Sequence, residues 1–366
     1  MKRYYLPLVL LVFVANAGCK GDKMQLFPST DPRLAWQGRT WKDTTGNTYL
    51  VGSASSLKFA FSGDRCSIRI QNAAQQGEYN YISIFIDGSR QPRTAIRYET
   101  LTPIEIVPDQ KSSTHLIEVY KETEAANGAV IIGAIEADSL VQMPAITKKR
   151  IEFIGNSITV GMSSDASAIA CEAGTWYDQH NAYDAFGPRV ARALDMEYVL
   201  SGFSGIGIYR NTRTDRPVMA DIYTSAFLSP DPNSPRHDFK KFVPDIVSIC
   251  LGTNDFSAGD GTTPRAPFDP AQFIPAYVDF ISTVHGFYKD AQIIITNTPM
   301  LNTQQNEILM ACLQQIKTQA ETSIPGLKPM YIFSFSHVYQ SGCLGHPSLE
   351  EHGKMAEEMI LFLKGI

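Results

Sequence analysis

The chain has 366 residues, 44% of them hydrophobic and 19% charged, with a formal net charge of −5. That length exceeds one typical core and predicts about two domains, and the composition is not that of a disordered chain. No Lys/Arg stripe accompanies the mild acidity, so neither nucleic acid nor an anionic membrane surface is expected as the main partner.

Residues 1–22 read as a targeting segment with a polar tether. Met1-Lys2-Arg3 is positive, residues 6–14 are apolar, and Ala15-Asn16-Ala17-Gly18-Cys19 places small residues ahead of a cysteine. The apolar run is short for a membrane span, which predicts a cleaved export signal. The small residues before Cys19 resemble a bacterial lipobox, with Asn16 where a larger apolar residue is commoner. Cys19 is therefore the expected lipidation site, the only expected membrane contact, on a periplasmic or cell-surface lipoprotein. An ordinary secretory signal is the alternative. Of the other cysteines, Cys66 and Cys250 lie in apolar strand-like runs and read as buried thiols. Cys312 and Cys343 are the candidate disulfide, and Cys171 completes an odd set that leaves at least one thiol free. No CxxC or HxxxH spacing appears, so neither a zinc site nor another cofactor is expected.

Residues 30–143 carry short alternating apolar runs separated by turn residues. Residues 57–61 are followed by Gly63-Asp64 and then residues 66–70; residues 81–86 run into Asp87-Gly88, a hairpin signal; residues 116–120 and 130–135 complete the series. Without a helical period, this predicts an all-β sandwich of jelly-roll type. Residues 140–149 read as a linker.

From residue 150 to 366 strands and helices alternate. The strands are expected at 151–154, 197–200, 246–251, 292–296 and 330–333, with helices at 182–194, 270–288, 304–322 and from 348 to 363. The last begins with a capping box, Ser348 followed by Glu351. Apolar, β-branched strands between helices predict an α/β fold, a flavodoxin-like three-layer parallel sheet with right-handed crossovers. Ligand sites in such sheets gather at the carboxyl ends of strands.

Three blocks fall just after predicted strands: Gly155-Asn156-Ser157, Gly252-Thr253-Asn254-Asp255 and His346-Pro347-Ser348. A serine at a strand-to-helix junction, where glycine permits a tight turn and the helix start offers free N–H groups, suits a nucleophile whose attack creates an oxyanion. Histidine has the reference pKa, about 6.5, of a base that could take the hydroxyl proton.

These blocks, with Ser201-Gly202-Phe203-Ser204-Gly205, resemble the SGNH (GDSL-type) hydrolases over residues 150–366. The resemblance implies Ser157 as nucleophile and His346 as base. It also implies an oxyanion hole formed by the N–H groups of Ser157 and Gly205 and the side-chain amide of Asn254. Asn156 stands where the family usually has aspartate. No carboxylate occurs in Ser341-Gly342-Cys343-Leu344-Gly345, where most relatives place the acid that orients the histidine. Three readings follow: a Ser–His dyad held by a backbone carbonyl, an acid from elsewhere, or a weakened enzyme. A β domain ahead of Gly-Asn-Ser resembles carbohydrate esterase family 2, some of whose members lack that acid, and this favours the dyad. That resemblance implies removal of O-acetyl groups from a xylan- or mannan-type polysaccharide or oligosaccharide through an acyl-serine. The rivals are an esterase for a sialate or lipid ester, and an inactive surface glycan-binding lipoprotein.

Other polar and aromatic residues have plainer readings. Asp255 reads as a hydrogen-bonded structural carboxylate, His352 as a surface residue, and His180 and His285 as structural or exposed. Trp176, Tyr177 and Tyr183 are candidates for a sugar cleft or for ordinary packing. Tyr209-Arg210-Asn211 could touch substrate, with Arg210 equally suited to a structural ion pair.

Overall fold

The computed structural model describes residues 24–110, 112–145, 147–259, 261–262 and 265–366. The expected export segment and Cys19 lie outside the described residues. Among the described residues, no helix is long and apolar enough to cross a membrane.

The first half forms one antiparallel network of eleven strands. Its axis is Ser56–Ala73, which pairs with Ala129–Val141 on one edge and with His115–Lys121 and Thr102–Ile106 on the other. The turn expected at Gly63-Asp64 does not divide this strand. Ala129–Val141 pairs on both sides of that point, and a register shift between Ala137 and Ser139 absorbs the irregularity as a bulge. Asp87-Gly88 does turn between Asn80–Ile86 and Ser89–Arg90. Leu57, Phe59, Phe61, Ile68, Ile82, Ile84 and Val119 belong to one buried cluster. The other face of Asn80–Ile86 is covered as well: Tyr81 joins Tyr79 and Tyr177, and Phe85 packs on Tyr183 at 4.6 Å. Residues from the second half of the chain thus bury a strand face that would otherwise meet water.

The second half is a five-stranded parallel sheet in the order Glu197–Gly202, Arg150–Gly155, Ile246–Cys250, Gln292–Thr296, Tyr331–Phe333. Numbered along the chain that order is 2-1-3-4-5, the flavodoxin-like arrangement. Side chains alternate between two cores. Val247, Ile249, Ile293 and Ile295 face the helices Pro270–Phe287 and Thr303–Ser323, whereas Phe153, Cys250 and Ile294 face Phe186–Ala193 and Leu349–Leu363. The first of these helices starts four residues later than its periodicity predicts. Ala182 and Tyr183 are engaged elsewhere, their N–H groups donating to the Glu122 carbonyl and carboxylate at 3.2 and 2.9 Å.

Polar contacts, most of them buried, join the two halves. Arg39, 0% exposed, donates to the carbonyls of Tyr223 (3.0 Å) and Ser225 (2.6 Å) and to Ser201 Oγ (3.1 Å). Ser201 and Tyr223 in turn donate to Glu152 at 2.5 and 3.1 Å. Tyr79 and Tyr81 donate to Asp178 at 2.7 and 2.9 Å, and Arg90 pairs with Asp184 at 2.5 Å.

Candidate active site

Ser157 opens a helix of one turn, Ser157–Val160, directly after the first parallel strand. A helix that short contributes individual N–H groups rather than an extended dipole, so the expected contribution of the helix start is reduced. Gly155 is needed for proximity more than for the expected turn, because a Cβ there would lie 2.0 Å from Thr159 Oγ1. Asn156 caps the turn: its Oδ1 accepts from Ile158 N–H at 3.1 Å and its amide donates to Thr253 Oγ1 at 3.3 Å. A cap requires a side-chain oxygen, which asparagine supplies as well as aspartate does.

His346 approaches from the opposite side, its Nε2 2.9 Å from Ser157 Oγ. This is the distance at which the hydroxyl can pass its proton to the ring. Among the described residues no carboxylate hydrogen-bonds the imidazole, whose buried Nδ1 lies near the Leu344 and Cys343 carbonyls. Burial holds the His346 pKa below its ordinary value, opposed in part by the nearby Leu344 and Cys343 carbonyls, so the ring is biased toward the neutral base.

What fixes the histidine is its loop. Gly342 N–H donates to the His346 carbonyl (2.7 Å), His346 N–H to the Cys343 carbonyl (3.0 Å), and Cys343 N–H to the Ser163 carbonyl (2.9 Å). A disulfide joins Cys343 to Cys171 on the long loop that follows Ser157. This corrects the Cys312–Cys343 candidate. Cys312 is a free thiol buried in the core under Thr303–Ser323, and Cys66 and Cys250 are the buried thiols expected.

Gly205 and Asn254 complete the constellation. Gly205 has φ 77°, a conformation that glycine adopts without strain, and its carbonyl accepts from Thr212 N–H at 3.1 Å. Asn254 Oδ1 accepts from Thr212 Oγ1 at 2.7 Å, which sets the amide so that Nδ2 donates to the Ile206 carbonyl at 2.7 Å and keeps a second hydrogen. Ser157, Gly205, Asn254 and His346 line one open cleft of about 950 Å³, together with Trp176, Phe203, Asn211, Arg213, Met300 and Ala126. Ala126 comes from the antiparallel half, so that half supplies part of the cleft wall. Among the described residues, no cluster of three or more His, Cys, Asp or Glu side chains could hold a metal ion.

The remaining candidates separate by burial. Asp255 is structural: its Oδ1 accepts the N–H groups of Ile208 (2.9 Å) and Tyr209 (3.0 Å), while burial pushes its pKa up to about 7. Arg210 is buried on the Asp255 and Ala266 carbonyls, each at 2.7 Å. Tyr177 and Tyr183 pack between the halves, and only Trp176 of that trio reaches the cleft. His352 is fully buried, contrary to the surface expectation. It stacks on Phe186 and accepts from Phe186 N–H at 3.2 Å, at the head of an inward stripe with Met355, Ala356, Met359 and Leu363. His285 faces the Pro325 carbonyl at 3.3 Å, and His180 lies buried beside Glu124.

Residues 36–144 match the family model described as carbohydrate esterase 2 N-terminal, and residues 153–323 match the GDSL-like lipase/acylhydrolase family. The chain is 25% identical over 371 residues to an acetylxylan esterase/glucomannan deacetylase of Cellvibrio japonicus, with 98% of each chain covered. It is 27% identical over 342 residues to the cellulase/esterase CelE of Acetivibrio thermocellus, covering 91% of this chain and 39% of that protein. Among solved structures it is similar to a family two carbohydrate esterase from Clostridium thermocellum in complex with cellohexaose. That similarity has a TM-score of 0.78 and 26% identity, and covers 91% of this chain and 98% of the other.

Proposed function

The chain is a GDSL-type hydrolase that resembles the family 2 carbohydrate esterases, and we propose that it removes O-acetyl groups from polysaccharide with a Ser157–His346 dyad. The observation that carries the proposal is the 2.9 Å contact between Ser157 Oγ and His346 Nε2 in a cleft shared with Gly205 and Asn254. His346 takes the Ser157 proton as Oγ attacks the acetyl carbonyl carbon. The tetrahedral oxyanion is held by Ser157 N–H, Gly205 N–H and the second hydrogen of Asn254 Nδ2. Collapse expels the sugar oxygen, which takes the proton back from His346 and leaves an acetyl-serine. Water then repeats the attack, and acetate and free serine remain. General-base catalysis contributes typically 10²–10⁴-fold, and each oxyanion donor about 10²–10³-fold.

Xylan- or mannan-type substrates are the natural reading, since similar proteins carry the names acetylxylan esterase and glucomannan deacetylase. An open cleft edged by a half-exposed Trp176 suits a polymer entering from either side. Residues 30–143 would form a jelly-roll unit and residues 150–366 the hydrolase unit. We place the protein outside the cytoplasm, anchored through Cys19. The Cys171–Cys343 disulfide supports an oxidising compartment, where such bonds form and persist.

The test is acetate release from an aryl acetate and from acetylated xylan and glucomannan. Ser157→Ala and His346→Ala are each expected to abolish turnover on all three. Turnover by Ser157→Ala equal to wild type ends the acyl-serine reading, and activity that survives His346→Ala ends the dyad.

A further inference from the structure

We propose that Glu124, contributed by the antiparallel half, is a positioning residue for the oxyanion hole: it holds the peptide immediately before the one that presents Gly205 N–H. This inference rests on the acyl-serine reading above.

Glu124 lies on the turn between His115–Lys121 and Ala129–Val141, immediately before the short helical turn Ala125–Asn127. Its side chain is fully buried. One carboxylate oxygen accepts Ser204 N–H at 2.7 Å, and the other lies 3.5 Å from His180 Nε2. Ser204 directly precedes Gly205. On the downstream side, Gly205 is held by Thr212 N–H on its carbonyl. The donor peptide is therefore bracketed, by Glu124 before it and by Thr212 after it, while Gly205 N–H itself has no protein acceptor among the described residues. The turn carrying Glu124 is braced in its own right. Lys121 Nζ donates to the Thr123 and Glu124 carbonyls at 2.8 and 2.7 Å, and Thr123 Oγ1 donates to Asn80 at 2.5 Å.

Burying a carboxylate is unfavourable unless it is hydrogen-bonded, and a charge-assisted bond to a backbone N–H is about twice as strong as a neutral one. Joining the two halves does not require such an arrangement, because Tyr79, Tyr81, Arg39 and Arg90 already do so. What Glu124 adds is a fixed position for one N–H, next to a second N–H that must meet charge only as it develops. A donor left free to swing has to be reoriented in each catalytic cycle.

The experiment compares Glu124→Ala and Glu124→Gln with wild type in the full chain, with thermal unfolding confirming that each is folded at the assay temperature. Steady-state kinetics on an aryl acetate are paired with hydrogen exchange of the peptide containing Ser204 and Gly205. Glu124→Ala is expected to lower kcat 10–100-fold with KM unchanged and to speed exchange at Ser204 at least tenfold. Glu124→Gln, whose amide oxygen can accept the same bond, is expected to recover kcat to within about fivefold of wild type. The proposal is overturned by a folded Glu124→Ala with wild-type kcat, by a loss confined to KM, by unaltered exchange at Ser204, or by a Gln variant as impaired as Ala. Ser157→Ala run in parallel separates the two readings: its activity decides the acyl-serine, whereas exchange at Ser204 decides the clamp whatever Ser157 does.

Discussion

Replacing Arg39 with methionine should cost about 3–5 kcal/mol, the order of penalty expected when a buried charge loses the opposite charge that compensates it. Its guanidinium bonds to two carbonyls and to Ser201, and its charge faces Glu152, which is 1% exposed. Burial lowers the Arg39 pKa and raises that of Glu152, and each group is pulled back toward its charged form by the other. Without Arg39, Glu152 keeps the Ser201 and Tyr223 hydroxyls but no cation. With roughly 2–4 °C per kcal/mol for large domains, thermal unfolding should shift down by about 10 °C. Arg39→Met/Glu152→Gln should regain about half the loss, because the stranded charge is gone. The sign of the pH effect is also fixed. A carboxyl with a raised folded-state pKa contributes stability at low pH that is lost as pH rises through that pKa. The Arg39→Met deficit should therefore be smaller at pH 5 than at pH 8. A single variant losing under 1 kcal/mol, or a double variant no better than Arg39→Met, would refute the account of two mutually compensating buried charges.

Asn254→Ala should lower kcat by about 10²–10³ with KM within a few-fold, as loss of an oxyanion donor requires; a change confined to KM would place Asn254 in substrate binding instead. The depressed His346 pKa keeps the ring neutral in mild acid, so the acid limb of kcat/KM should have its midpoint below 6.5; a midpoint above that value contradicts the burial argument. Cys171→Ser/Cys343→Ser should lose roughly 2–5 kcal/mol of stability for a loop of this span. It should also lose kcat more than tenfold, because the His346 loop is released. Unchanged kcat in the folded variant would assign the bond to stability alone.

The parallel sheet was legible because β-branched runs alternate with periodic helices, and the Ser348–Glu351 capping box forms at the predicted place. That Ser157, Gly205, Asn254 and His346 would come together was legible from blocks that follow strands, since strand ends converge on one edge of such a sheet. Other features depended on adjacency that spacing does not carry. Cys171 meets Cys343 only because two loops, 172 residues apart in sequence, lie side by side above the sheet. Arg39, Glu122 and Glu124 belong to no motif in the sequence, yet each enters a contact supplied by the other half. Gly63-Asp64 looked like a turn because local composition cannot reveal a partner strand long enough to run past it. His352 was recoverable: it stands three, four, seven and eleven residues before Met355, Ala356, Met359 and Leu363, the spacing of a buried helical face.

The contacts between the halves bear on how such a chain can be divided or recombined. Cut between the two sheets, one piece would carry Arg39, Glu122 and Glu124 into water with Tyr79 and Tyr81 uncovered. The other would keep Glu152, Asp178 and Asp184 without Arg39, Tyr79, Tyr81 and Arg90. The front half is thus no interchangeable module: a substitute would need Arg39, Tyr79, Tyr81, Arg90, Glu122 and Glu124 in register with the acidic side chains, carbonyls and backbone N–H groups that they meet. In a lineage that exchanged such units, the two would have to be inherited as a matched set.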